Sequence, residues 1–189
     1  MAAAPPAGTG HPEGTLAIYD RSGDVTHVLR GHTNWVMTLL PFDGGRSLAS
    51  AGDTVRVWDF TGDEPKPAFA SERLPVTGRL ASDARGRLWS GHRDGTVVGW
   101  DVATGRRTAT FAAFGDEITG LVLLGERLVT SSKSSSSLKF YDSVGPDSTG
   151  LVADLPLAGS GVRVWEAGRG SGKLLVENGG SLRLFDSRK

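Results

Sequence analysis

Apolar and polar residues alternate in five short runs of the chain, TLAIYD, TVRVWD, TVVGWD, SLKFYD and SLRLFD. Alternation with a period of two puts one row of side chains on each face of an extended segment, as in a half-buried β-strand. Each run closes on an aromatic followed by Asp: Tyr19-Asp20, Trp58-Asp59, Trp100-Asp101, Tyr141-Asp142 and Phe185-Asp186. The unit therefore recurs every 39 to 44 residues. A second short run precedes four of them, at residues 48–51, 88–91, 128–131 and 174–177. A turn rich in Gly, Asp or Ser lies between the two runs and supplies the backbone angles of a tight hairpin. Further strands are predicted before these pairs at 36–40, 76–80, 118–123 and 162–165, and after them at 68–70, 107–111 and 152–155. A period near 40 with about four strands per unit describes an all-β propeller of four-stranded antiparallel blades.

The segment from Gly31 to Asp59, GHTNWVMTLLPFDGGRSLASAGDTVRVWD, resembles a Trp-Asp (WD) repeat, with Gly-His at its start and Trp-Asp at its end. The next unit, ending RLWSGHRDGTVVGWD, is similar but lacks the opening Gly-His, and the later units keep little beyond the aromatic-Asp end. The resemblance covers roughly residues 15–186. It implies a hydrogen-bonded network inside a blade, carried here by His32, Ser50, Asp53 and Trp58, running from indole to hydroxyl to imidazole to carboxylate. Such groups are buried between strands and must find partners. In the second blade Ser90, Asp94 and Trp100 match, while Glu72 and Arg73 stand where His is expected. The third blade offers Thr130 and Tyr141, and the fourth Val176 and Phe185.

The predicted organisation is a leader at 1–14 and a propeller at 15–189. Its units fall near 15–30 (partial), 31–70, 71–112, 113–155 and 156–189 (partial). Two strands, three sets of four and three final strands close neither four blades nor five. Three arrangements follow: a fragment of a larger propeller, a ring completed by a second copy or another half, or a small ring closed alone. In the last case residues 25–29 would serve as the fourth strand of the last blade. An open arc would expose end faces that repeats normally bury against neighbours.

The 189 residues carry 27 glycines, about twice average usage, with 21 basic and 21 acidic side chains and a net charge of zero. A chain built to track nucleic acid or an anionic membrane usually shows a basic excess, so neither partner is expected. No cysteine is present, which removes disulfides, thiolate chemistry and Cys-based zinc sites. The first ten residues have no signal-peptide pattern, and the expected compartment is cytoplasm or nucleus, not a secreted one. AGRGSGKL at 167–174 departs from a phosphate-binding loop at its first Gly and at the position after Lys, and reads as a hairpin loop. His11, His27, His32 and His92 lack metal-ligand spacing, and no nucleophile elbow or acid/base pair appears. Neither a metal nor a cofactor is expected. Residues 131–137, SSKSSSS, read as a loop, with phosphorylation beside Lys133 the functional alternative.

In the resembled family, the turns between second and third strands share one rim with the connections into the next blade. That rim implies partner contacts from Trp35, His92, Arg93, Asp116, Glu117 and Lys133. Trp and Arg are the residue types that most often carry binding energy at interfaces, and the mixed charge favours a protein or peptide partner. The function expected is a non-catalytic protein-interaction scaffold within a larger assembly. The alternatives are a propeller enzyme acting on a small molecule over the central channel and an inactive fragment of a larger protein.

Overall fold

The computed structural model describes residues 14–75, 77–82, 87–142, 150–167 and 171–186. Most of the predicted leader lies outside the described residues, as do Val76 and residues 168–170 of the Gly-rich loop. The described chain is almost entirely β. A two-stranded sheet, β1 (Leu16–Tyr19) and β2 (Val25–Leu29), comes first. Three four-stranded antiparallel sheets follow: β3 (Thr38–Phe42), β4 (Ser47–Ala51), β5 (Val55–Asp59) and β6 (Lys66–Ala70); β7 (Thr77–Ser82), β8 (Arg87–His92), β9 (Thr96–Asp101) and β10 (Arg107–Ala112); β11 (Ile118–Leu124), β12 (Arg127–Ser132), β13 (Ser137–Asp142) and β14 (Leu151–Pro156). A three-stranded sheet of β15 (Arg163–Glu166), β16 (Lys173–Asn178) and β17 (Ser181–Asp186) ends the described chain. Every sheet runs in chain order from its first strand outward, the meander that hairpin turns impose.

Two expectations change. The first strand of the second sheet begins at Thr38 and not at Val36, although Met37 already donates its amide to the Ala51 carbonyl at 2.8 Å. Residues 25–29 pair with β1 and not with the last sheet. The arc therefore does not close on itself through that strand.

Alternation explains how the sheets stack. In β4 and β5, Leu48, Ser50 and Trp58 point one way and Ala49, Ala51, Val55 and Val57 the other. The first row packs with Leu16 and Leu29 of the N-terminal pair. The second meets Leu80, Leu88, Val98 and Trp100 of the next blade. That blade turns Trp89 and Val97 toward Ile118, Leu121, Leu128 and Tyr141, and the third blade presents Val122, Val129 and Leu138 to Val164, Leu174 and Val176. Small residues set the spacing. A Cβ on Gly91 would lie 2.6 Å from the Ile118 Cγ2, so glycine is what lets these blades approach. On the last sheet no sheet among the described residues covers the opposite row, and Leu182 and Leu184 are 63% and 59% exposed.

The inner strands β3, β7, β11 and β15 line a cavity of about 280 Å³, with Thr38, Arg79, Ser82, Trp165 and Glu166 on its wall. Among the described residues no helix is long and apolar enough to cross a membrane.

Leu128 is fully buried at a blade interface, so Leu128→Ala is expected to cost about 2–5 kcal/mol. Leu182→Ala, on the uncovered face, is expected to cost about 0.5 kcal/mol or less. Urea unfolding midpoints of the two variants check the contrast, and equal losses would contradict the stacking described.

Candidate functional site

The turns at one end of the sheets are tied into a continuous rim. In the first full blade the Trp58 indole N–H donates to Ser50 Oγ at 2.9 Å, and Ser50 Oγ lies 2.8 Å from His32 Nε2. His32 Nδ1 stands 3.2 Å from Asp53 Oδ1. A carboxylate can only accept, so Nδ1 carries the proton and Nε2 accepts from the serine hydroxyl. Thr33 donates its hydroxyl to the other Asp53 oxygen at 2.6 Å, and Arg73 Nη2 donates to that hydroxyl at 3.0 Å. The Leu74 amide donates to the Asp53 carbonyl at 3.1 Å. A relay thus runs from an exposed arginine to a buried indole, through groups on four separate segments.

The second blade solves the same problem with different residues. Trp100 Nε1 donates to Ser90 Oγ at 2.8 Å, and Ser90 Oγ lies 2.9 Å from His92 Nε2. His92 Nδ1 donates to the Pro75 carbonyl at 3.0 Å. This corrects the reading of His92 as a rim contact, because the ring is only 1% exposed. With no histidine in the connection entering this blade, the buried Ser90 hydroxyl needs another acceptor. His92, two residues along the same strand, faces the same way. Asp94, assigned to the relay, instead accepts from the Thr96 amide at 3.0 Å and hydroxyl at 2.6 Å. That holds the turn in which Gly95 has a φ of +82° and packs against Phe114 and Asp116 carbonyls. In the third blade Thr130 donates to the Lys139 carbonyl at 3.3 Å and Tyr141 to that of Ala113 at 3.4 Å. Burial, aided by the charge of Asp154, pushes the Tyr141 phenol up to about 12.

The remaining rim candidates divide by exposure. Trp35 is 66% exposed, and Arg93 and Lys133 are exposed. Asp116 and Glu117 are half-buried. Asp116 accepts from the Ser134 amide at 2.7 Å and hydroxyl at 2.6 Å, and the Lys133 amide donates to the Glu117 carbonyl at 2.9 Å. Thr33, Arg73, Pro75 and Ser134 were missed as members of these networks. The alternating Ser90-Gly91-His92 spacing was the one signal that could have placed His92 correctly.

Ser50, His32 and Asp53 have the connectivity of a hydrolytic triad, but the site cannot perform that chemistry. Ser50 is fully buried and its oxygen is occupied by the Trp58 indole, leaving no approach for an acyl carbon. In the central cavity the ionisable lining residues are Arg79 and Glu166. Arg79 is directed to backbone oxygens of Thr119 and Gly78 at 2.7 and 2.6 Å. Among the described residues no group of three or more His, Cys, Asp or Glu could hold a metal.

Comparison with known proteins agrees with this architecture. No protein-family model matches the chain. It is 31% identical over 156 residues to nuclear distribution protein PAC1-2 of Uncinocarpus reesii, covering 69% of this chain and 34% of that protein. It is 39% identical over 57 residues to nuclear distribution protein nudF 1 of Talaromyces marneffei, covering 29% of this chain and 12% of that protein. A chain in the crystal structure of the mitotic checkpoint complex superposes with a TM-score of 0.78 at 20% identity, over 92% of this chain and 56% of that one. The chain belongs to the Trp-Asp-repeat propeller family. The computationally designed Ika4 protein superposes with a TM-score of 0.69 at 18% identity, over 84% of this chain and 94% of that one. The chain thus spans about a third of the length of the first of these curated relatives.

Burial holds both network histidines below the ordinary imidazole value of 6.5. For His32 the Asp53 hydrogen bond pulls upward and Arg56 pushes down, and for His92 the Pro75 carbonyl pulls upward, without reversing the burial. At Asp53 and Asp116 burial acts upward but is outweighed by hydrogen bonds from Thr33 and His32, and from Ser132 and Ser134. Both carboxyls lie below 3.8. Below pH 6.5 the unfolded chain takes up protons that the folded rings refuse, so stability is full above that value and falls as pH drops. A second loss begins below pH 3.8 as the carboxylates protonate. The urea midpoint is expected to decline from pH 7 to 5, with a shallower decline in His92→Gln; a midpoint rising on acidification would contradict the neutral buried rings. Ser50→Ala leaves the Trp58 indole and His32 Nε2 unpaired and is expected to cost about 1–3 kcal/mol for each group, read by the same unfolding measurement.

Proposed function

We propose that the chain is a non-catalytic interaction scaffold that holds a protein or peptide segment on its rim. The observation that carries this reading is the combination of a braced rim and a large exposed aromatic. Trp35 is two-thirds exposed on a connection anchored through Thr33 to Asp53 and Arg73, with its carbonyl against Gly52. A rigid, exposed indole loses little conformational freedom on binding, which favours it as an interface anchor. Arg93 of the second full blade, and Asp116, Glu117 and Lys133 of the third, would add polar contacts along the same rim. The names of the curated relatives, nuclear distribution proteins, fit a role within an assembly, in the cytoplasm or nucleus. The burial of Ser50 inside its hydrogen-bonded network weighs against the enzyme alternative.

A second reading concerns how the arc is completed. The last sheet has three strands, and its outward row, Leu182 and Leu184, is uncovered. A second copy or another half-propeller completing the ring would cover that row. Light scattering tests the homodimer: a mass of twice the chain supports it, and a monodisperse monomer removes it.

Trp35→Ala and Arg93→Ala are each expected to reduce partner capture by about tenfold, near 1.4 kcal/mol, with an unchanged unfolding midpoint. Quantitative crosslinking and mass spectrometry on the full chain check this. Undiminished capture by both variants would remove the rim assignment.

A further inference from the structure

The contact between successive sheets repeats around the arc. Inner strands stand side by side, β3 with β7, β7 with β11 and β11 with β15. On each inner strand one residue lies opposite the second-strand position that carries Ser50 in the first full blade. These are Leu39 opposite Ser50, Leu80 opposite Ser90, Leu121 opposite Thr130 and Val164 opposite Val176. Each looks back at the preceding sheet, and the next residue along the strand, Leu40, Ala81, Val122 or Trp165, looks forward. Leu40 packs in one cluster with Leu80, Ala81 in one with Leu121, and Val122 in one with Val164.

Two halves of this contact are left over. Trp165, the forward residue of the last inner strand, is 43% exposed. Leu39, the backward residue of the first, is 52% exposed, whereas Leu80, Leu121 and Val164 are buried. Within one chain β3 and β15 line the same cavity without covering these two side chains. The N-terminal pair accounts for the exposure of Leu39. Leu16 stands four residues before Asp20, as Val55 does before Asp59 and Val97 before Asp101. By that position β1 holds the place of a third strand and β2 that of a fourth. They cover Leu48 and Trp58. The inner place, beside Leu39 and the exposed Met37, has no strand of that sheet among the described residues.

We propose that two copies of the chain join head to tail, the inner strands β15 and β16 of each filling the inner place of the other. Trp165 then packs on Leu39 and Met37, with β17 beside the open edge of β1. This rests on the second-copy reading above and specifies the surfaces that meet. A copy of the chain fits the place better than an unrelated partner, because the contact it makes is the one the fold already uses between its own sheets. Two such contacts between unlike faces close a pair. A solved chain of the same fold, matched by this arc over 56% of its length, carries nearly as much chain again, the amount that a second copy adds.

Sedimentation equilibrium on the full chain, from about 1 to 100 μM, tests this, because association depends on protein concentration. The expected mass is twice that of the chain. Leu39→Glu and Trp165→Glu each place a charge in the apolar contact, and each is expected to raise the dissociation constant at least tenfold. An equimolar mixture of the two variants keeps one contact intact, Trp165 of one variant on Leu39 of the other. It is therefore expected to associate at least tenfold more tightly than either variant alone. Only a contact between unlike faces gives that recovery. A monodisperse monomer overturns the proposal together with the second-copy reading, and leaves the rim reading to its own test. A pair that neither substitution weakens overturns the surfaces and keeps the second copy. Equal affinities in the mixture and in the single variants overturn the head-to-tail order, and a mass that grows beyond two copies overturns the closed pair. Unchanged far-ultraviolet circular dichroism confirms that each variant is folded.

Discussion

Each four-stranded sheet is a single layer, so its apolar rows leave water only by packing against the sheets before and after it. The rest of the structure depends on that constraint. Because successive residues face opposite ways, one strand serves two interfaces: Trp58 packs toward the N-terminal pair while Val55 and Val57 pack toward the second blade. Hydrophobic burial is therefore shared between neighbours and no blade owns a core. The same rule accounts for the exposed Leu182 and Leu184, which belong to a row that no sheet among the described residues covers.

Stacking creates a polar problem, because it buries indoles and hydroxyls along with the apolar rows. A buried donor left unpaired costs more than a paired one returns, and the two complete networks show how the chain meets that cost. In the first full blade an incoming histidine and a turn aspartate supply the partners. In the second, a histidine on the strand itself and a backbone carbonyl do so. The chemistry required is constant, but the residues that meet it are not. Both solutions also brace the connecting segments, so interior satisfaction and a rigid rim have one cause.

The period-two alternation and the even spacing of the aromatic-Asp pairs were enough to read the strands, their hairpin order and the stacking of blades. Those features depend on local sequence: strand faces are set by residue parity and turns by Gly and Asp. The His32–Ser50–Trp58 connections could likewise be proposed from position within one repeat. His92 could not be placed by the same procedure. Its role follows from a missing histidine some twenty residues earlier and from the Pro75 carbonyl brought beside it by folding.

Composition alone gives a neutral chain, and no sequence rule says which carboxylates are hydrogen-bonded within the fold. That division was decided by tertiary structure, through contacts such as Thr33 to Asp53 across 20 residues and Ser134 to Asp116 across 18. Exposure of Trp35 and burial of His92 were decided in the same way, since each depends on which segment lies alongside. The propeller architecture was legible in the repeat alone, because recurring local patterns dictate strands and their faces. What the rim presents emerged with the folded arrangement, because hydrogen bonds between distant segments choose which polar groups turn inward.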